Sequence, residues 1–266
     1  MELSIIIPSF NTKKVLGDCL SSIAKFTDSR KTEIIVVDNG SSDGSKDFLE
    51  KLSHEKRIDV ILSNTNMGFS KAVNLGINKS SGDYILILNS DILVKPNSVD
   101  LLVDYAKKNK DAGVIGGRLS NIDGTPQASV FHFPSIIGAI KEYWLGRKGD
   151  YEKYLPEGNN PVKVDAVVGA VMLVSREVLN KVGLLDEKYF MYFEDLDLCR
   201  RIFRVGYSNY YLPKAEFIHY HGLSGKNISK DTNKWLISSS KKYNGFLKYL
   251  LITLIIRIRQ IYQKIF

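Results

Sequence analysis

Short β-branched runs alternating with segments of helical spacing predict an α/β chain. Its mostly parallel, Rossmann-like sheet is flanked by helices on both faces and followed by a C-terminal helical tail. Three observations carry this. The first 109 residues read strand then helix repeatedly. Apolar content of 44% and charged content of 25% over 266 residues suit a chain that buries a sizeable core. Residues 246–266 are apolar and basic, and too short in their apolar run to span a bilayer, which takes about 20 such residues.

In order, strands are expected at 3–7, 33–37, 59–62 and 84–88, where Ile, Val and Leu dominate. Helices are expected at 13–26, 43–52, 70–78 and 97–109. Ligands of such sheets sit beyond the carboxyl ends of the strands. That points to residues 8–12, 38–44, 64–69 and 89–91.

Each of these segments carries usable chemistry. Pro8-Ser9-Phe10-Asn11-Thr12 is a turn with free backbone amides. In Asp38-Asn39-Gly40-Ser41-Ser42-Asp43-Gly44, Asp38 can accept from a nucleobase or ribose and Asp43 can cap the next helix. A plain Gly-rich turn with an N-cap reads the same way. Asn66-Met67-Gly68-Phe69-Ser70-Lys71 sets Gly68 before a helix, where amides and Lys71 can meet a pyrophosphate. Asn89-Ser90-Asp91 ends an apolar strand. A carboxylate there suits Mg²⁺ or Mn²⁺ beside a diphosphate, or equally a cap for the helix beyond Pro96. Neither GxGxxG nor a Walker A sequence occurs, which argues against a dinucleotide dehydrogenase or a P-loop enzyme.

Further along, Glu194, Asp195 and Asp197 follow the aromatic run Tyr189-Phe190-Met191-Tyr192-Phe193. Aromatics that dry such a site raise a carboxyl pKa and make a general base useful near neutral pH. Asp197 also has Arg200 and Arg201 three and four residues on as structural partners. His219 and His221 face one side of an extended segment and can supply imidazole to the metal held by Asp91. Small residues at 165–171 suit a sugar pocket or a buried strand. Phe131-His132-Phe133-Pro134 and Tyr143-Trp144 can stack on sugar rings or simply pack.

Charge is unevenly spread. Residues 226–266 hold nine Lys or Arg and one acid, and so account for the whole net charge of +8. The body, 1–225, is neutral, which gives no support to nucleic acid binding. Aromatic and basic residues around an apolar stretch suit the headgroup region of an anionic membrane. A C-terminal helix packed on the body or on a second subunit reads similarly. Cys19 and Cys199 lie in apolar helical patterns and read as packed thiols in a reducing compartment. The N-terminus has no signal-peptide pattern, so the expectation is a cytoplasmic chain attached peripherally to the inner face of the cell membrane.

Six motifs occur in the order seen in family 2 glycosyltransferases, and the chain resembles their rhamnosyltransferase-like branch over residues 1–225. They are Pro8-Ser9-Phe10-Asn11, residues 36–44, Asn66-Met67-Gly68-Phe69, Leu88-Asn89-Ser90-Asp91, residues 193–200 and His219-Tyr220-His221-Gly222-Leu223-Ser224. The resemblance implies a GT-A fold, a nucleotide-sugar donor linked to dTDP or UDP, Mn²⁺ or Mg²⁺, and inversion at the anomeric carbon. It implies a nucleotide-binding half at about 1–117, an acceptor half at about 118–225 and the tail at 226–266. Pro8, Ser9, Asn11 and Asp38 would contact the nucleotide, with Asn66, Gly68, Lys71, Asn89 and Ser90 around it. Asp91 matches the metal-binding acid, with His219 preferred over His221 as second ligand, and Asp195 matches the base, with Glu194 beside it. The family's first metal-motif acid is replaced by Asn89 in this chain, which keeps an acceptor and loses a charge. The acceptor implied is a lipid-linked or growing glycan. A sugar nucleotidyltransferase would need a basic Gly-rich loop near the N-terminus, and 8–12 has none. A non-enzymatic membrane-tethered scaffold would not need these acids and His219 together.

Overall fold

The computed structural model describes residues 1–28, 31–55, 58–220 and 229–265, and of residues 229, 230, 264 and 265 only the backbone. The first half comprises β1 (Leu3–Ser9), α1 (Lys13–Phe26), β2 (Thr32–Asp38), α2 (Ser45–His54), β3 (Asp59–Leu62), α3 (Phe69–Lys79) and β4 (Tyr84–Leu88). It continues through β5 (Ile92–Val94), α4 (Ser98–Lys108), β6 (Ala112–Ser120), β7 (Pro126–Gln127), β8 (Val130–Phe131) and α5 (Ile136–Tyr143). Then follow β9 (Val162–Val164), β10 (Ala166–Val167), β11 (Val171–Ser175), α6 (Arg176–Val182), α7 (Glu194–Arg204) and β12 (Ser208–His219). The tail forms α8 (Ser229–Asn244) and α9 (Phe246–Ile265).

Among the described residues one ten-stranded sheet runs β3-β2-β1-β4-β11-β6-β12-β5, with β7 beside β6 and β9 beside β12. It is parallel from β3 through β4 and again between β6 and β12. β11 enters antiparallel between β4 and β6, so the sheet is mixed at its centre.

Strands buried on both faces explain the unbroken apolar runs. Ile5 and Ile7 of β1 pack with Leu16, Cys19 and Leu86 on one side, while Ile6 packs with Val37, Val73 and Ile87 on the other. The two-residue alternation of a strand thus feeds two cores at once. Helix α1 buries Val15, Leu16, Cys19, Leu20 and Ile23, a stripe spaced by three and four.

Helix starts differ slightly from the sequence expectation. Asp43 lies outside α2, because its carboxylate accepts from Ser45 N (3.0 Å) and Ser45 Oγ (2.5 Å) and also from Lys13 N (2.8 Å). It therefore ties α1 to the loop before α2. Asp91 does not cap a helix beyond Pro96, since β5 intervenes. No helix among the described residues is long and apolar enough to cross a membrane.

Gly76 is where α3 rests on the sheet. A Cβ there would meet Ile6 Cγ2 at 2.4 Å and Val37 Cγ2 at 3.3 Å. Alanine gains about 1 kcal/mol of helix propensity, but overpacking a closed core costs about 1–3 kcal/mol. Gly76→Ala is expected to lower the urea midpoint. An unchanged or higher midpoint would show that the contact can relax.

Candidate active site

The carboxyl ends of β1, β2 and β4 enclose a cavity of about 100 Å³ lined by Pro8, Ser9, Phe10, Asn39, Asn66, Phe69, Asn89, Ser90 and Met191. Its rim is stitched by side chains acting as backbone partners. Asn39 accepts from Met67 N (2.9 Å) and donates to Asn66 Oδ1 (2.9 Å) and Gly68 O (3.2 Å). Asn11, at φ +53°, accepts from Ser42 N at 2.8 Å. Thr12 Oγ1 donates to Ser90 Oγ (2.9 Å) and contacts Ser9 Oγ (3.0 Å), linking β1 to the end of β4. Asp38 is fully buried, and its Oδ1 accepts from Gly40 N (3.2 Å) and Ser41 N (2.9 Å). Asp38 Oδ2 is sealed from solvent with no hydrogen-bond partner among the described residues. Of the sequence-selected residues, Pro8, Ser9, Asn66, Asn89 and Ser90 line the cavity. Asn11, Asp38 and Gly68 build its turns, and Lys71 is exposed on the first turn of α3.

Asp91 and His219 meet although 128 positions separate them. The antiparallel register of β12 on β5 sets His219 opposite Ile92, next to Asp91. Both side chains are buried, with His219 Nε2 at 3.4 Å from Asp91 Oδ1. Gln127 fixes the ring. Its NH₂ donates to Asn121 Oδ1 (2.6 Å) and His219 O (2.9 Å), so its Oε1, 2.9 Å from His219 Nδ1, must accept from that nitrogen. Nε2 is then the ring nitrogen turned toward the Asp91 carboxylate. Sequence reasoning missed Gln127, since nothing local marks it as a partner of His219. Among the described residues no third His, Cys, Asp or Glu completes a cluster of metal-ligating type around them. His221 lies outside the described residues.

The acids Glu194, Asp195 and Asp197 occupy the first turn of α7 and are all buried. Asp195 accepts from Gly169 N through Oδ2 (2.9 Å) and from Leu196 N through Oδ1 (2.8 Å). Glu194 Oε2 is buried without a hydrogen-bond partner among the described residues. Burial pushes the Asp195 carboxyl above the usual aspartate range, against the backbone donors that pull it down. Burial, then the charge of Asp195, pushes Glu194 well above the usual glutamate range. Helix N-termini favour anions by at most about 2 kcal/mol, whereas burying a carboxylate costs several. Desolvation therefore wins at both. Asp197 takes the partner anticipated from its spacing, Arg201, whose Nε donates at 2.8 Å. Arg200 instead lies 3.9 Å from the Tyr243 ring centroid.

A groove of about 510 Å³ opens over this pair, lined by Phe131, Pro134, Tyr143, Tyr151, Tyr192, Phe193 and Leu236, together with Lys153. The aromatic run ahead of the acids divides its labour. Tyr189 fills core, Met191 lines the smaller cavity, and Tyr192 and Phe193 line the groove. Tyr192 (φ +70°) and Phe193 (φ +69°) hold left-handed backbone, which is costly for side-chain-bearing residues. The loop is kept there from both sides. Phe69 N donates to Phe190 O at 2.7 Å, and a Cβ on Gly68 would sit 2.5 Å from that oxygen. From α8, Trp235 packs tilted against Phe190 (4.6 Å between ring centroids), Tyr243 against Phe193 (5.3 Å), and Ser239 Oγ donates to Met191 O (2.8 Å). Gly169 lies between a lining residue of each cavity: a Cβ there would lie 3.6 Å from Asp195 Oδ2, in the groove lining, and 3.8 Å from the ring of Phe69, which lines the smaller cavity.

Residues 4–183 match glycosyl transferase family 2. The N-acetylglucosaminyl-diphospho-decaprenol L-rhamnosyltransferase of Mycobacterium tuberculosis is 28% identical over 82% of this chain and 76% of its own length. Rhamnosyltransferase WbbL of Escherichia coli is 27% identical over 90% of this chain and 91% of its own. In fold, the chain is similar to GalNAc-T7, solved with UDP, GalNAc and Mn²⁺, at TM-score 0.67 and 18% identity over 82% of this chain; the match spans 43% of that one. A mannosyltransferase from Pyrobaculum calidifontis, in complex with GDP-Man and Mn²⁺, gives TM-score 0.62 at 14% identity over 95% of this chain and 64% of its own. The mixed α/β sheet is thus the GT-A fold, and the chain belongs to glycosyl transferase family 2, as an enzyme similar to its rhamnosyltransferase-like branch.

Proposed function

We propose that this glycosyltransferase moves a sugar, with inversion, from a nucleotide diphosphate donor to a hydroxyl of a lipid-linked or growing glycan in cell-surface polysaccharide synthesis. The observation that carries the reading is a buried carboxylate, Asp195, that lines the aromatic groove and has only Gly169 between it and Phe69 of the smaller, more polar cavity. The smaller, in the half at about 1–117, takes the nucleotide through Pro8, Ser9, Asn66, Asn89 and Ser90. Asn11, Asp38 and Gly68 shape it, and Lys71 is the cation we assign to the diphosphate. The aromatic groove, mostly from the half at about 118–225 with Leu236 of the tail, takes the acceptor. Rhamnose is the sugar suggested by the names of two relatives, and dTDP is the carrier that the resemblance of the motifs implies, with a UDP-sugar second. A lipid-linked acceptor is suggested by the decaprenol in one of those names. The apolar, basic tail, 246–266, suits an anionic membrane, and we place the enzyme on its cytoplasmic face.

An imidazole nitrogen and a carboxylate oxygen 3.4 Å apart are a donor set that fits Mn²⁺ or Mg²⁺, which accept few protein ligands and fill their shell with phosphate and water oxygens. Asp91 and His219 would hold the ion, with His221 as a further candidate. When bound, the ion neutralises charge developing on the leaving diphosphate. The acceptor hydroxyl lies at Asp195 and gives it its proton as the oxygen bonds the anomeric carbon. The bond from that carbon to the phosphate oxygen breaks with its electron pair, and the nucleoside diphosphate leaves from the opposite face. One displacement inverts the centre.

Asp195→Asn is expected to cut kcat by about 100-fold or more while nucleotide binding by calorimetry is retained; normal turnover would remove Asp195 as base. In the parent, the acid limb of kcat/KM should lie above the ordinary aspartate range of about 4, since Asp195 must be ionised to act. Glu194→Gln copies the protonated acid and should leave that limb in place. A carboxyl whose pKa is raised on folding binds its proton more tightly in the folded state, so the parent loses stability as pH rises above the ordinary glutamate range. The melting temperature of Glu194→Gln should fall less steeply over that window; an equal slope would place the burial cost elsewhere. Gln127→Leu frees the His219 ring and should weaken Mn²⁺ binding by roughly 10- to 100-fold in calorimetry. Unchanged affinity would exclude His219 as a ligand held by Gln127.

A further inference from the structure

Helix α9 has two apolar sides. One faces the body, where Ile252 is buried and Lys248 Nζ donates to Pro134 O at 2.5 Å. The other bears Leu247, Leu250, Leu254, Ile258 and Ile261, spaced by three and four so that they form one stripe. These side chains are 46–74% exposed. Beside α9 lies α5, whose Ile137 (65%) and Ile140 (40%) are exposed in the same way. Trp144, at the end of α5, joins the two helices: its Nε1 donates to Ile255 O (3.2 Å), and Arg259 sits 5.8 Å from its ring centroid.

We propose that α5 and α9 together form one lipid-docking face, with α5 as an inserting element distant in sequence from the tail. The inference deepens the membrane-surface reading above and rests on it. The occupant follows from charge. Residues 226–266 carry nine basic residues and one acid while the body is neutral. A second copy seated on this face would bring two such tails together, whereas an anionic bilayer neutralises them. Apolar area supplies the insertion and the cations the attraction, as in interfacial helices generally.

The face also adjoins the acceptor groove. Tyr143, the last residue of α5, is a wall of that groove, and Tyr151, 6.1 Å from it between ring centroids, is another. A hydroxyl carried on a membrane lipid therefore reaches Asp195 along the edge of the docked surface.

The test is co-sedimentation of the full chain with phosphatidylcholine vesicles, with and without phosphatidylglycerol, alongside calorimetry with UDP or dTDP and Mn²⁺. Parent protein should bind only the anionic vesicles. Ile137→Glu/Ile140→Glu should weaken that binding roughly tenfold or more, as should Leu250→Glu/Leu254→Glu, with unchanged circular dichroism and nucleotide binding. If the α5 pair binds like the parent while the α9 pair does not, α5 is not part of the face. If the parent ignores anionic vesicles but self-associates in sedimentation velocity, and either pair abolishes this, the face belongs to a second copy and the proposal falls. Vesicle binding without nucleotide binding would overturn the transfer reading and leave the docking face standing.

Discussion

Two carboxylates buried side by side at the start of α7 are the constraint around which the rest is arranged. Both are largely withdrawn from solvent, and Glu194 Oε2 has no hydrogen-bond partner among the described residues. Such a pair resists double ionisation, because the second charge must form next to the first in a dry site. Its cost is carried by the surrounding structure. Gly169 and Leu196 amides hold Asp195, a left-handed Tyr192–Phe193 pair aims the helix, and α8 clamps the loop that carries the strain.

The second constraint is register. Asp91 and His219 come together only because β12 pairs antiparallel with β5, and a slip of one residue would turn the imidazole to the other face of the sheet. Gln127 on β7 then sets the ring's tautomer through its own two donors. The tail belongs to the same scheme, since α8 holds the aromatic loop and α9 lies on α5 at the wall of the groove.

What the sequence revealed was what is local. Turns at the ends of β1, β2 and β4 are written in Asn, Asp, Ser and Gly at fixed offsets, and the Asp197–Arg201 pair is a four-residue spacing on one helix. Strands β1, β2 and β4 were legible because burial on both faces makes their central residues apolar, and the edge strand β3 because its short β-branched run follows the same alternation of strand and helix. The region from β7 to β10 was not, because its strands of two or three residues are too short for any periodicity. Gln127 was invisible because its partner is 92 residues away, and the exposed stripe of α9 could not be told from its packed side in a helix apolar nearly all round. Asp43 was half legible: its capping role was clear, but not that it holds α1 as well.

The proposed chemistry depends on a single displacement assisted by one buried base. The most direct measurement is the anomeric configuration of the new glycosidic bond formed from a nucleotide-sugar donor, read by NMR. Inversion relative to the donor is the result the arrangement around Asp195 predicts. Retention would require a second displacement or a front-face mechanism, and would contradict the role of Asp195 as the base.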